Sequence, residues 1–88
     1  MLKVVFKSRF KKDLKKLKSA KRSEEELIAV IEMLAKEEPL AERFRDHALT
    51  GSHVNHRECH LRPDWLLIYR IEGSELILVR TGSHGELF

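Results

Sequence analysis

Apolar positions along the chain follow two periods, and the change between them divides it. Leu2, Val4 and Phe6 alternate with Lys3, Val5 and Lys7, which predicts a short first strand. The period then lengthens. Phe10, Leu14 and Leu17 recur at i, i+4 and i+7 with lysines between them, a narrow apolar stripe on a basic helix. Ser8 is placed to cap that helix at Arg9, and the stripe runs out near Ser19. Ser23 and Glu26 have capping-box spacing and open a second helix with Leu27, Ile28, Ile31, Leu34 and Ala35 on its core face. Pro39 stops it and pushes Glu38 out of helical geometry. The short link between the helices predicts an antiparallel pair.

Residues 40–54 have no clear period, apart from an extended piece near Arg45–Leu49 and a turn signal at Thr50-Gly51-Ser52. Three strands are then expected, roughly at 55–61, 65–71 and 75–81. Arg62-Pro63-Asp64 forms the first connection and Glu72-Gly73-Ser74 the second. The central strand holds the most apolar run, Leu66, Leu67, Ile68, Tyr69 and Ile71. The tail from Thr81 to Phe88 is expected to lie against the sheet without forming an element. The order β-α-α-β-β-β predicts an α+β fold: a small twisted, mainly antiparallel sheet with an N-terminal helical hairpin packed on one face. Residues 1–88 are expected to be a single domain.

Charge adds an asymmetry that the net value of +3 conceals. Residues 1–22 hold ten Lys or Arg and one acid, Asp13, and carry +9; residues 23–88 carry −6. Lys11, Lys12, Lys15, Lys16 and Lys18 make the first helix a candidate for phosphate-backbone contact. The bland alternative is a solvated helix face. One cysteine, Cys59, excludes an internal disulfide and reads as a small buried apolar residue. No apolar run approaches the roughly 20 residues that a membrane helix needs, and the start lacks a signal-peptide pattern, so the cytoplasm is the expected location.

The five histidines all lie in the second half. Strand alternation puts His56, Glu58 and His60 on one face, opposite Arg57, Cys59 and Leu61. Hairpin pairing would bring the 62–64 turn and the 81–84 end to one edge, where His60, Asp64, Trp65, Arg80 and His84 converge. That set suits RNA cleavage by the substrate's own 2′-hydroxyl. Histidine, with an ordinary pKa of about 6.5, can serve as base or acid. A guanidinium answers the charge that builds on the phosphate, and Trp65 or Phe88 can stack on bases. Singly, each has an ordinary explanation: Trp65 as core, Asp64 as a turn residue, Arg80 as a partner of Glu58 or Glu72. Zinc is the rival chemistry. Its cues are weak: there is no C-x-x-C and no H-E-x-x-H, only the cluster His53-x-x-His56-x-x-x-His60.

Three blocks carry a resemblance: Asp46-His47-x-Leu49-x-Gly51, then Arg57-x-x-His60-x-x-Pro63-Asp64-Trp65-x-Leu67-Ile68-Tyr69, then Arg80-Thr81-Gly82-Ser83-His84-x-x-Leu87-Phe88. In order and spacing the chain resembles the YafQ branch of the RelE-type toxins. The resemblance implies the toxin of a type II toxin–antitoxin pair, a ribosome-dependent endonuclease that cuts mRNA in the A site. Cleavage would use the substrate 2′-OH with no metal and no cofactor. His47, His60, Asp64, Arg80 and His84 would be catalytic. Arg80 would stabilise phosphate charge, His84, His60 and Asp64 would exchange protons, and His47 would orient substrate or assist. Trp65 and Phe88 would position bases or pack the site. Implied partners are a cognate antitoxin, the ribosome and mRNA, with operator DNA reached only through the antitoxin and no membrane. A non-catalytic RNA-binding or antitoxin-binding module on the same scaffold is the alternative.

Overall fold

The computed structural model describes residues 1–17 and 19–88, and the backbone alone of Ser52. In chain order the elements are β1 (Lys3–Phe6), α1 (Ser8–Lys15), α2 (Glu24–Ala35), β2 (His47–Ala48), β3 (Arg57–Arg62), β4 (Trp65–Glu72), β5 (Glu75–Gly82) and α3 (His84–Leu87). Two 3-10 turns, Glu42–Phe44 and Gly51–His53, flank β2. The sheet order is β1-β5-β4-β3-β2. β1 runs parallel to β5, and all other neighbours are antiparallel. The expected α+β fold is present.

One face of the sheet carries the core. Trp65, Leu67 and Tyr69 of β4, Leu76 and Leu78 of β5 and Cys59 of β3 pack with Phe10, Leu17, Leu27, Val30, Leu34 and Ala35 from the helical half. Alternation sends Leu66 and Ile68 of β4 to the opposite face, where they are also buried. A strand covered on both sides reads as a continuous apolar run, as 65–69 does.

Several local expectations shift. Lys7, not Ser8, is the N-cap of α1, and no side chain caps that end. The helix stops at Lys15, before Leu17. Ser23 caps α2 by accepting from the Glu26 N–H at 3.3 Å, while the Glu26 carboxylate reaches across to Arg62 instead of closing the box. Ile28 is exposed and Val30 takes its place in the core. α2 ends before Pro39 acts. Glu37 turns to φ 58°, and the Glu37 and Glu38 N–H groups donate to the Leu34 and Met33 carbonyls in a Schellman pattern. The tail does form an element, the short helix α3. Ser83 and Glu86 cap it reciprocally.

A bulge in β5 decides where the site lies. Tyr69 pairs with Leu78, but Ile68 pairs with Arg80, so Val79 is the extra residue. Leu76 and Leu78 face the core. Without the bulge, period-two alternation would aim Arg80 the same way. With it, Arg80 joins Ile68 on the opposite face. β1 ends opposite Leu78, so the edge of β5 beyond that point has no strand partner.

Candidate active site

Cross-strand pairs share a face. His47 pairs with Glu58, Glu58 with Ile68, and Ile68 with Arg80, one row across β2, β3, β4 and β5. His60 pairs with Leu66 and Leu66 with Gly82 in the next row. His47, Glu58, His60 and Arg80 therefore lie on one surface, away from the core.

Glu58 is 6% exposed and joins the two imidazoles. Its Oε2 lies 3.0 Å from His47 Nε2 and 3.9 Å from His60 Nε2. His47 Nδ1 is 2.6 Å from the Arg45 carbonyl, which can only accept, so Nδ1 carries a proton and donates it there. Nε2 then faces a carboxylate oxygen. The same oxygen stands between the two imidazoles, within hydrogen-bond distance of His47 alone. Asp46 fixes the loop beside His47: its Oδ1 accepts from the Tyr69 hydroxyl at 2.6 Å and from Arg57 Nε at 3.2 Å. Burial, then Asp46, pushes the Tyr69 phenol well up from its ordinary value, so it stays a donor. Burial likewise pushes the Cys59 thiol up to about 12, which leaves it inert beneath the site.

Arg80 is held from the edge of the sheet. Its Nε and Nη2 donate to the Asp13 carboxylate at 2.7 and 3.1 Å. The Thr81 N–H, unpaired on the open edge, donates to the same carboxylate at 3.1 Å. Asp13 is the lone acid of α1 and is buried. Its hydrogen bond, ahead of the opposing burial, raises the Arg80 pKa. Nη1 has no side-chain or backbone partner among the described residues, and points of contact for a phosphate remain there.

Asp64 and His84 do meet, though through backbone: the His84 N–H donates to Asp64 Oδ1 at 3.1 Å. This pins the start of α3 to the β3–β4 turn and leaves the His84 ring exposed. The ring of Phe88 packs against His84, with centroids 5.0 Å apart, and edge-on against His53 at 5.3 Å. His53 thus belongs to this corner. His56 does not join Glu58 and His60, because β3 begins only at Arg57; its Nδ1 bonds locally to the Val54 carbonyl. Trp65 corrects the expectation of base stacking. It is 2% exposed, and its Nε1 donates to Thr81 Oγ1, which donates to the Leu66 carbonyl. It supports the site from below. Lys11, Lys12, Lys15 and Lys16 are exposed on α1, apart from this cluster, and Lys18 lies outside the described residues.

Glu58 and Asp13 were not singled out from sequence as site residues. Glu58 had a signal, since it alternates with His60. So did Asp13: at i+3 from Phe10 and i−4 from Leu17, it sits on the apolar stripe where an acid must find a buried partner.

The family model described as the bacterial toxin of type II toxin–antitoxin systems, YafQ, matches residues 2–88. This chain belongs to the YafQ toxin family. Among relatives, the mRNA interferase toxin YafQ of Escherichia coli K12 is 44% identical over 50 residues, 57% of this chain. The aligned stretch spans about half of that relative, 54%. A copper-bound mutant toxin from Helicobacter pylori superposes with a TM-score of 0.95 at 48% identity, covering 100% of both chains. YafQ in the E. coli DinJ–YafQ complex superposes at 0.91 with 30% identity, covering 100% of this chain and 99% of the other. The YafQ fold thus carries this chain's His47–Glu58–His60 cluster, whose ligand atoms all lie within 4.8 Å of one another. None of the described helices is long and apolar enough to cross a membrane.

Proposed function

We propose that residues 1–88 act as one toxin domain that cleaves mRNA on the ribosome, in the cytoplasm, by attack of the 2′-OH on the adjoining phosphate. The observation that carries this reading is the placement of His47, Glu58, His60 and Arg80 on one face of the sheet. His60, backed by Glu58, accepts the 2′-OH proton. The 2′-oxygen bonds to phosphorus, the bond to the 5′-oxygen breaks, and His84 protonates the leaving oxygen. The products are a 2′,3′-cyclic phosphate and a 5′-OH. Arg80 answers the extra negative charge on the phosphate. His47 keeps Glu58 oriented, Asp64 holds α3 and hence His84, and Phe88 positions a base. Lys11, Lys12, Lys15, Lys16 and Lys18 track ribosomal phosphates. A cognate antitoxin, as DinJ is for the E. coli toxin, masks this basic and catalytic surface with an acidic segment.

The test is cleavage of a defined message with and without translating ribosomes. Cutting is expected only with ribosomes and should fall by roughly 10²–10⁴ in His60→Ala and His84→Ala. Full activity in a His60/Asp64/His84 triple alanine variant overturns the acid–base reading. Intact message with salt-dependent binding favours a non-catalytic module instead.

A second reading concerns metal. Two imidazoles and a carboxylate suit copper(II) or zinc, and the Arg45 carbonyl on His47 Nδ1 is the usual outer support for a ligating histidine. His47, Glu58 and His60 would hold the ion, which when bound supplies Lewis acidity. These are also the lone pairs that proton transfer requires, so we assign metal an inhibitory role and keep the cleavage metal-independent. Activity that persists in chelator and declines on copper addition supports this; activity lost in chelator refutes it.

A further inference from the structure

Beside His60, on the side away from Arg80, a cavity of about 490 Å³ opens between β3 and the 3-10 turn before β2. Its walls include Arg43, Phe44, Arg45, His60, Leu61 and Arg62. The volume falls within the roughly 300–1,000 Å³ of small-ligand sites. Arg62 is answered by Glu26. Arg43 and Arg45 have no carboxylate within ion-pair distance among the described residues. Arg43 lies over the Phe44 ring, 4.6 Å from its centroid, so a guanidinium is mounted on an aromatic base at the mouth of the cavity. Arg45 adopts φ 48°, a left-handed backbone that costs a non-glycine residue about 1–2 kcal/mol. The same residue's carbonyl holds His47 Nδ1. A strained residue therefore ties this cavity to the His47–Glu58–His60 cluster.

We propose that this cavity is a nucleotide subsite, taking the base and phosphate of the RNA residue next to the scissile bond on the His60 side. The inference rests on the endonuclease reading and adds a specificity determinant to it. The base stacks on the Arg43 guanidinium, as unpaired RNA bases do on guanidinium planes, and Arg45 meets the flanking phosphate. An acidic peptide would use the same positive charge, but it has no use for a guanidinium stacked on Phe44, nor for a cavity that shares a wall with His60.

The test has two arms. In the first, isotope-labelled protein without ribosomes is titrated with a 2′-O-methylated trinucleotide, which lacks the attacking hydroxyl, and with an octaglutamate peptide. The trinucleotide should perturb Arg43, Phe44, Arg45 and His60 resonances. Arg43→Ala should weaken its binding about tenfold, while Arg43→Lys, which keeps charge without the plane, should recover only part of it. Arg43 is exposed, and an unchanged melting temperature separates this loss from unfolding. Perturbation confined to Arg80–Phe88, or unaltered binding by Arg43→Ala, overturns the proposal. So does a response at Arg43 and Arg45 to octaglutamate alone, which would make the cavity an antitoxin site. In the second arm, Arg43→Ala should redistribute cut sites in a translation reaction, and an unchanged distribution counts against the subsite. If the wild-type chain cuts nothing, the endonuclease reading fails, and the titration still decides whether the cavity binds nucleotide.

Discussion

Replacing Asp13 with Ala removes three hydrogen bonds at once: two from Arg80, at 2.7 and 3.1 Å, and one from the Thr81 N–H at 3.1 Å. Asp13 is 6% exposed and the Arg80 side chain 18%. Breaking a buried pair by deleting one partner costs about 3–5 kcal/mol. The Thr81 N–H sits on the open edge of β5, and Arg80 keeps some access to water, so both recover part of their hydration. The expected loss is therefore near or just below the low end, about 2–3 kcal/mol. For a domain of this size that lowers the melting temperature by about 10–20 °C. Asp13→Asn keeps an acceptor for Thr81 and should cost less than Asp13→Ala. Urea unfolding followed by Trp65 fluorescence measures the change directly, because Trp65 is buried and bonded to Thr81. The midpoint should fall with the slope unchanged. A loss below about 0.5 kcal/mol, the scale of a neutral surface change, would refute the claim that Asp13 is the anchor of Arg80 and of the β5 edge.

Glu58→Gln should reduce the proposed ribosome-dependent cleavage at least tenfold and weaken the copper binding proposed for His47, Glu58 and His60, read by calorimetry against the unsubstituted chain, because a single carboxylate oxygen faces both histidines; an unchanged cleavage rate would remove Glu58 from the site. Cys59 should resist a disulfide reagent at pH 8 in the folded protein and react once urea exposes it, since burial holds its thiol protonated up to about 12; fast labelling of folded protein contradicts this. The Glu86 carboxyl is held below its ordinary value, chiefly by the Ser83 backbone N–H and then by the Ser83 side chain. A depressed carboxyl contributes stability above its unfolded value of 4.5, and that contribution is lost as pH falls through the folded value. The resonances of α3, and with them the packing of Phe88 on His84, should therefore loosen below about pH 4.5. Retention of α3 at pH 2 would show that the cap does not hold it.

Elements with strong local signals were legible. The Leu66–Tyr69 run, the Gly73 turn at φ 59° and the Ser23 cap all appear where the residues place them. His60 and Arg80 were read as neighbours because the hairpin connections are short. What escaped depends on non-local pairing. The role of Glu58 needs β2, a two-residue strand whose sequence has no period, to deliver His47 opposite it. The role of Asp13 needs β1 to end at Phe6, leaving an edge N–H for α1 to reach. Trp65 stayed open between base contact and packing because a Trp at a strand start looks the same whether its ring meets a base or Thr81. His56 was misplaced by one residue of strand boundary, since β3 starts after it.

The bulge at Val79 has a consequence for how β5 tolerates change. It serves as a hinge of allegiance: Leu76 and Leu78 before it belong to the core, and Arg80 after it belongs to the surface that carries His47, Glu58 and His60. What must be kept is that Arg80 follows Leu78 as the next paired position, opposite Ile68, with Val79 outside the ladder. Another residue in place of Val79, which is only half-buried, preserves the aim of Arg80. Flattening the bulge with Val79 kept would turn a guanidinium into the apolar layer and carry Thr81 out of reach of Trp65. Deleting Val79 instead leaves Arg80 next after Leu78 and still opposite Ile68, so this strand tolerates the loss of one residue better than its incorporation into the ladder.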